Sequence, residues 1–437
     1  MFIVTTAGMS VWALCLMSYS ATLPTTTFCN LPPPRGDEFW INLIGLPSSS
    51  NKGWEARACS LSVLTTLELD TIVRGAFSVK DSFVLPDGEA EYKVVYDERA
   101  KRAFERLYGI LRPKGYVPRL TGSRDECVLL VRKAPTEKGS SRAPVVLGLL
   151  TLAAVVAHGW VQYVVYQQLL PERLPLLMGV AYVVVLILVI GLHEVVHRRS
   201  GSRGGTRAPV PYFLPGIPAF TPLPSFGTVL VHREPPVNRD ALFRTGFLGP
   251  IVAIVLCILF YAIGVLTAAT VSMEQVQSVR AALPNIQLTT PNPSIIESLI
   301  VSFISLIGGG PQTTSGSELI SPIAAAADTG LILTFFNLLP ATQLDGGHLC
   351  ESILGYRGLR ITTYLSIVAL LVLDTPNYWI TAVIVLVIAG RPTRLSTLDE
   401  VSEASREKKI LFSVALLLAL ASVPIPQNIA NLRLLAG

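Results

Sequence analysis

Charge is what this chain has little of. Asp, Glu, Lys and Arg make up 15% of its residues, against about 25% in ordinary soluble domains, and its mean hydropathy is positive. A wholly soluble globular protein is therefore excluded, and most of the chain is expected in lipid. The six cysteines, Cys15, Cys29, Cys59, Cys127, Cys257 and Cys350, show no C-x-x-C spacing, so neither a redox pair nor a disulfide framework is expected. Nucleotide-binding motifs are missing too: the glycines at 201–205 lack a following Lys-Ser/Thr, and those at 308–310 lack the required flanks. The net charge of +5 suits anionic headgroups and excludes nucleic acid as the expected partner.

Apolar runs near the ~20 residues needed to span a bilayer are present at Pro144–Val165, Leu174–His197, Leu242–Val271, Leu319–Pro340, Ile361–Leu373, Trp379–Gly390 and Ile410–Val423. These predict about seven transmembrane helices within residues 143–437. Arg198, Arg199, Arg203 and Arg207 follow the second run, and Arg357, Arg360, Arg391, Arg394, Arg406, Lys408 and Lys409 flank later ones. Lys and Arg gather on the inner side, so this reading places those loops in the cytoplasm of a multi-pass protein of the cell membrane. The run Ile295–Ile307 breaks strict alternation and is read as interfacial or re-entrant.

The region ahead of residue 143 divides in two. Residues 1–29 hold an apolar segment, 2–22, with no Lys or Arg before Arg35. The positive start of a secretory signal is missing, and the segment reads as an extra uncleaved span or a poorly ordered extension. Residues 30–142 read as a cytoplasmic α+β domain. Glu91–Tyr96 alternates as a strand, Asp97 is placed to cap a helix, and Ala103, Phe104, Leu107, Tyr108 and Leu111 form one apolar stripe. Tyr116–Leu120 and Glu126–Arg132 read as strands around a turn at Gly122–Asp125, giving a β-α-β-β unit.

Two of the apolar runs carry groups that lipid should exclude. The first ends in His193-Glu194-Val195-Val196-His197; on a helix, residues four apart share a face, so both imidazoles can hold one ion. Glu194, turned slightly aside, suits a general base acting on water that zinc acidifies to a pKa of about 7. A charge at the bilayer centre costs at least about 2.5–3.5 kcal/mol, which calls for a compensating partner, and a metal ion is the simplest. Catalytic zinc takes three protein ligands, and Asp345, ending the run from Leu319 to Leu344, is the candidate third. Pro340 opens the helix near Asn337, freeing that amide to face a reacting oxygen. Asn337 hydrogen-bonding a neighbouring helix is the plainer alternative, and Asp328 reads as an interhelical or cavity-facing acid.

His193-Glu194-x-x-His197 together with Asn337-Leu-Leu-Pro-Ala-Thr-Gln-Leu-Asp345-Gly-Gly-His348 resembles the site-2 protease family of intramembrane zinc metalloproteases. Pro211–Pro215, Asn238-Arg239, Gly249-Pro250 and Pro424–Pro426 are similar to the archaeal and chloroplast branch, which lacks a PDZ domain. The likeness covers roughly residues 90–430. It implies an α-helical polytopic membrane protein with a small amino-terminal α+β domain. One Zn²⁺ would be held by His193, His197 and Asp345, with Glu194 activating water and Asn337 stabilising the oxyanion. The implied activity is regulated intramembrane proteolysis: peptide-bond hydrolysis in or near transmembrane segments of membrane-protein substrates, at a site opening toward the cytoplasm. The chain departs from the family where Ser321 precedes Pro322, in place of a frequent His, and at Asp328.

The loop near 209–233 is Pro-rich to Pro224 and then strand-like over Phe226–His232. In this family such a loop enters the membrane, where an edge strand could pair with an unwound substrate; an ordinary surface hairpin is the alternative. His232, beside Arg233 and Glu234, reads as a solvated polar position, and His158 as bonding a neighbouring helix. A zinc transporter and a catalytically silent membrane scaffold remain as other functional classes. Substrate identity and oligomeric state are not legible in the residues.

Overall fold

A computed structural model describes residues 3–6, 65–84, 89–134, 142–202, 210–217, 223–232, 234–284, 286–289, 293–310, 317–372, 376–389 and 397–424. Near the amino terminus, β1 (Ile3–Thr6) pairs antiparallel with β9 (Ile286–Thr289). The expected span at 2–22 is thus a strand at its start, and the rest of it lies outside the described residues.

Within the region 30–142, a helix and a strand that the sequence reading did not pick out precede the β-α-β-β unit. Helix α1 (Thr66–Ala76) and strand β2 (Val79–Val84) precede β3 (Ala90–Val94), α2 (Ala100–Leu111), β4 (Tyr116–Gly122) and β5 (Cys127–Lys133). The four strands form an antiparallel sheet in the order β2-β3-β5-β4. α1 starts at a reciprocal capping box between Thr65 and Glu68. The expected stripe on α2 is buried against the sheet together with Tyr92, Leu120 and Leu129. Asp97 is not the helix cap; its carboxylate accepts from the Arg99 N–H two residues on, and Arg99 takes the cap position without a side-chain bond.

This domain is stitched to the helical part. Leu398–Glu400 run beside β4, the Leu120 N–H donating to the Leu398 carbonyl and the Glu400 N–H to the Leu120 carbonyl, while the Leu398 and Asp399 N–H groups donate to the Pro236 and Val237 carbonyls. Val237 and Leu398 complete the small domain's core. Ion pairs join Lys101 to Asp240 at 2.6 Å and Arg112 to Glu234, and Asn238 donates to Glu105 at 2.6 Å.

Among the described residues, three helices are long and apolar enough to cross a membrane: α3 (Ala143–Leu169), α4 (Pro175–Ser202) and α5 (Arg239–Leu266). Their outward faces expose Leu149, Leu188, Leu259 and similar side chains, an apolar surface of the kind lipid covers. α4 leads to a hairpin of β6 (Val210–Pro215) and β7 (Ser225–Val231), and α5 to β8 (Ala269–Ser272) and α6 (Met273–Ala282). α7 (Ile295–Leu306) has 12 residues, about 18 Å, well short of the ~30 Å hydrocarbon core. After β10 (Ser317–Ile320), which pairs with β8, comes α8 (Pro322–Leu338), apolar but shorter than a full span. It is buried almost throughout, packed on α4 and α5. α9 (Asp345–Val372), α10 (Pro376–Ala389) and α11 (Arg406–Ser422) close the bundle. α9 is interrupted at Gly355, whose φ of 72° breaks the helix, so the Asp345 segment and the following apolar segment need not share an axis.

Candidate functional site

α4 delivers His193 and His197 one turn apart on its buried face, and the turn after α8 delivers Asp345 at the first residue of α9. Pro340 has no N–H to continue α8, and the chain turns through Thr342, whose φ is 46° and whose N–H donates to Thr363 at 3.0 Å. His193 Nε2 and His197 Nε2 lie 2.8 Å apart, and each is 3.2 Å from Asp345 Oδ2. His197 and Asp345 are fully enclosed, and His193 is only 3% exposed.

These atoms have a clear chemical requirement. His197 Nδ1 lies 2.7 Å from the Thr245 carbonyl, which can only accept, so Nδ1 carries the proton and Nε2 presents a lone pair. Lone pairs and a carboxylate oxygen converge there, while Asp345 Oδ1 has no donor. Such a donor set repels itself unless a cation occupies the centre. Two imidazoles and one carboxylate, with the outer ring nitrogen fixed by a carbonyl, match a zinc site. Among the described residues these three form the group able to hold a metal ion.

The neighbouring helix is built around the site. A Cβ on Gly249 of α5 would collide with the His197 imidazole, and one on Gly246 would meet the Asp345 carbonyl oxygen at 2.5 Å and His348 Cβ at 2.9 Å. Only glycine lets α5 approach this closely.

Glu194 Oε1 is 3.9 Å from His193 Nε2, beside the metal ligands and pointing elsewhere. Its partner was not foreseen from sequence: the Thr228 hydroxyl on β7 donates to Glu194 Oε1 at 2.8 Å. The Thr228 N–H also faces Asn337 Oδ1 at 3.4 Å, and Gly227, with φ 94°, lies against that amide where no Cβ would fit. β7 thus touches both polar groups, and Asn337 bonds a strand, not a neighbouring helix. His193, Glu194, Ser225, Gly227, Thr228 and Asn337 border a cavity of about 20 Å³, room for water. The sequence signal for Thr228 was the strand-like run itself; nothing local marked which of its residues faces Glu194.

One other expectation changes. His232 is half-buried: its Nε2 is enclosed without a partner, and its ring stands 5.1 Å from that of His348. His158 Nδ1 lies 3.0 Å from the Ala154 carbonyl of its own helix.

Comparison with known proteins points the same way. A model of peptidase family M50 matches residues 181–373, a span holding His193, Glu194, His197, Asn337 and Asp345. The chain is 25% identical over 256 residues to the "Probable zinc metalloprotease EGY2, chloroplastic" of Oryza sativa subsp. indica, covering 57% of this chain and 43% of the relative. It is 26% identical over 248 residues to the "Probable zinc metalloprotease EGY1, chloroplastic" of Arabidopsis thaliana, covering 56% and 42%. The chain thus spans less than half the length of these relatives. No solved structure matches it.

Proposed function

The chain belongs, through residues 181–373, to peptidase family M50, the site-2 proteases, and is distantly related to the chloroplast zinc metalloproteases; from that membership we propose that it is an intramembrane zinc endopeptidase acting on transmembrane segments of other membrane proteins. The observation that carries this is the buried convergence of His193, His197 and Asp345 beside an acid, Glu194, that does not join them. His193, His197 and Asp345 would hold one Zn²⁺. When bound, zinc supplies a Lewis acid that acidifies water and polarises a carbonyl.

The rest of the chemistry falls to the chain's own groups. Glu194 takes a proton from the attacking water and returns it to the leaving amine. The Asn337 amide donates to the oxygen that becomes negative as the carbonyl turns tetrahedral. A transmembrane helix must lose backbone hydrogen bonds to expose a carbonyl, and the β6–β7 hairpin offers backbone partners next to the site. With the loops rich in Lys and Arg inside, the site opens toward the cytoplasm. Single cysteines placed in the segments 198–207 and 391–409 in sealed cells should resist an external impermeant thiol reagent. Labelling from outside would invert this topology.

The full chain in detergent should cleave a single-span helical substrate, lose activity with a zinc chelator and regain it with zinc. Zinc movement across vesicles without cleavage would identify a transporter instead. Neither activity from zinc-loaded protein would identify a scaffold.

Thr228 is expected to hold Glu194 in place. Thr228→Val keeps the shape but leaves Glu194 Oε1 without its donor; a bond to a charged group is worth about 1.5–3 kcal/mol, so cleavage should fall about 10- to 100-fold. Thr228→Ser should restore most of it. Equal losses in Val and Ser variants would show that the hydroxyl has no such role.

A further inference from the structure

The start of α5 is held by the small domain at two points, one helical turn apart on α2. Asn238 is the amino-terminal cap of α5 and is 2% exposed: its Oδ1 accepts the Ala241 N–H at 2.9 Å, and its Nδ2 donates to Glu105 Oε1 at 2.6 Å. Asp240, in the first turn of α5, accepts from Lys101 Nζ at 2.6 Å through Oδ2 and from the Ser405 N–H at 2.9 Å through Oδ1. Lys101 and Glu105 are four residues apart and so share one face of α2. Lys101 also donates to the Glu403 carbonyl at 3.0 Å, so α2, α5 and the approach to α11 meet at one polar junction.

Just beyond this junction α5 forms a wall of the metal site. Thr245, whose carbonyl lies 2.7 Å from His197 Nδ1, follows Asp240 at about 7.5 Å along the helix axis. Gly246 and Gly249 come next, where α5 runs against Asp345 and the His197 ring too closely for a Cβ. The first N–H groups of a helix have no intrahelical partner, and a cap is what keeps its opening turns from fraying. Tilting or fraying of the first two turns of α5 would carry the Thr245 carbonyl with them. The orientation of the cap amide is itself set from outside α5: a carboxylate only accepts, so Glu105 fixes Nδ2 toward α2 and leaves Oδ1 for Ala241.

We propose that Glu105 and Lys101 of the small domain are positioning residues for the zinc ligand His197, acting through Asn238, Asp240 and the Thr245 carbonyl. This role rests on the zinc reading of His193, His197 and Asp345. With α5 held, the Thr245 carbonyl keeps the proton on Nδ1 and aims the Nε2 lone pair at the ion. With the hold released, the ring loses the acceptor that fixes its tautomer and its angle. The small domain is then part of the metal centre, and not merely docked beside it.

Exchanging donor and acceptor across the junction tests this in the full chain in detergent, read by zinc affinity against a competing chelator and by the visible spectrum of cobalt substituted for zinc. Asn238→Asp keeps the cap, because Asp serves there as well as Asn, but sets a second carboxylate against Glu105. Zinc affinity should fall about tenfold, the lower end of what disturbing a ligand's orienting partner costs, and the cobalt bands should shift. Glu105→Gln alone should bind zinc as wild type does, since its amide oxygen still accepts from Asn238. Combined with Asn238→Asp it should restore affinity and spectrum, because the new amide donates to the new carboxylate; recovery on adding a second substitution is the signature of direct contact. Lys101→Met, which leaves the cap and Glu105 alone, should weaken zinc binding about two- to fivefold, the scale of an incompletely buried ion pair, and it carries the test if Asn238→Asp protein does not fold. Wild-type affinity and spectrum in both Asn238→Asp and Lys101→Met protein overturn the proposal, as does a loss in Asn238→Asp that Glu105→Gln leaves in place. Wild type that binds no zinc overturns the zinc reading itself, a different result from zinc-loaded wild type that its variants match.

Discussion

Glu194→Gln protein is expected to keep its zinc and its fold and to lose cleavage by about 10²–10⁴-fold, the usual worth of a positioned general base. The change is isosteric. The Thr228 hydroxyl, which donates to Glu194 Oε1 at 2.8 Å, can still donate to the Gln carbonyl oxygen, so β7 stays where it is. The three donor atoms that meet around the proposed ion do not include Glu194, and zinc content should match wild type. What disappears is a group able to accept a proton. Asn337→Ala should also cost activity, about 2.7–4 kcal/mol by analogy with other lost oxyanion donors, again without loss of metal. Cleavage of a single-span substrate, measured beside zinc content, separates these outcomes. Near-normal cleavage by zinc-loaded Glu194→Gln protein would overturn the assignment, since Asp345, the other acid of the two motifs, is already committed to the ligand cluster.

The ligand cluster was legible in the sequence because its physics is local and harsh. An i, i+4 histidine pair at the end of an apolar run, and an acid after another, are costly in lipid unless they meet. Asn337 was legible for a related reason, since Pro340 ends α8 just beyond it. What the sequence did not reveal depends on long-range contact. Thr228 sits in a short apolar strand with no mark distinguishing it from its neighbours, and only the register of β7 against α4 turns its hydroxyl to Glu194. α1 has just two buried residues, Leu69 and Val73, too few to print a helical period. β2 is an edge strand with no fully buried position, so it lacks the alternation by which β3 could be read. The docking of residues 397–405 onto the small domain is likewise a pairing between distant segments, invisible to periodicity. Asp328 was noticed as out of place in its apolar run, but nothing local in the sequence marked what surrounds it.

The metal itself gives the other large effect. With His193→Ala and Asp345→Ala combined, two of the three donors are gone and purified protein should retain no stoichiometric zinc, whereas wild type should carry one ion per chain that a chelator removes. Because zinc binds the folded site and not the unfolded chain, wild type should lose thermal stability on chelation while the double variant should not respond. Zinc content unchanged in that variant would sink the proposed site. Gly249→Ala gives an independent check that removes no ligand. A Cβ there collides with the His197 ring, so either α5 retreats or the imidazole, held from behind by the Thr245 carbonyl at 2.7 Å, leaves its place. Disturbing the partners that orient a zinc ligand typically weakens binding about 10–100-fold, and displacing the ligand should cost at least that much. Full zinc affinity in folded Gly249→Ala protein would mean that His197 can ligate from another rotamer, and that the close packing of α5 serves the fold and not the metal.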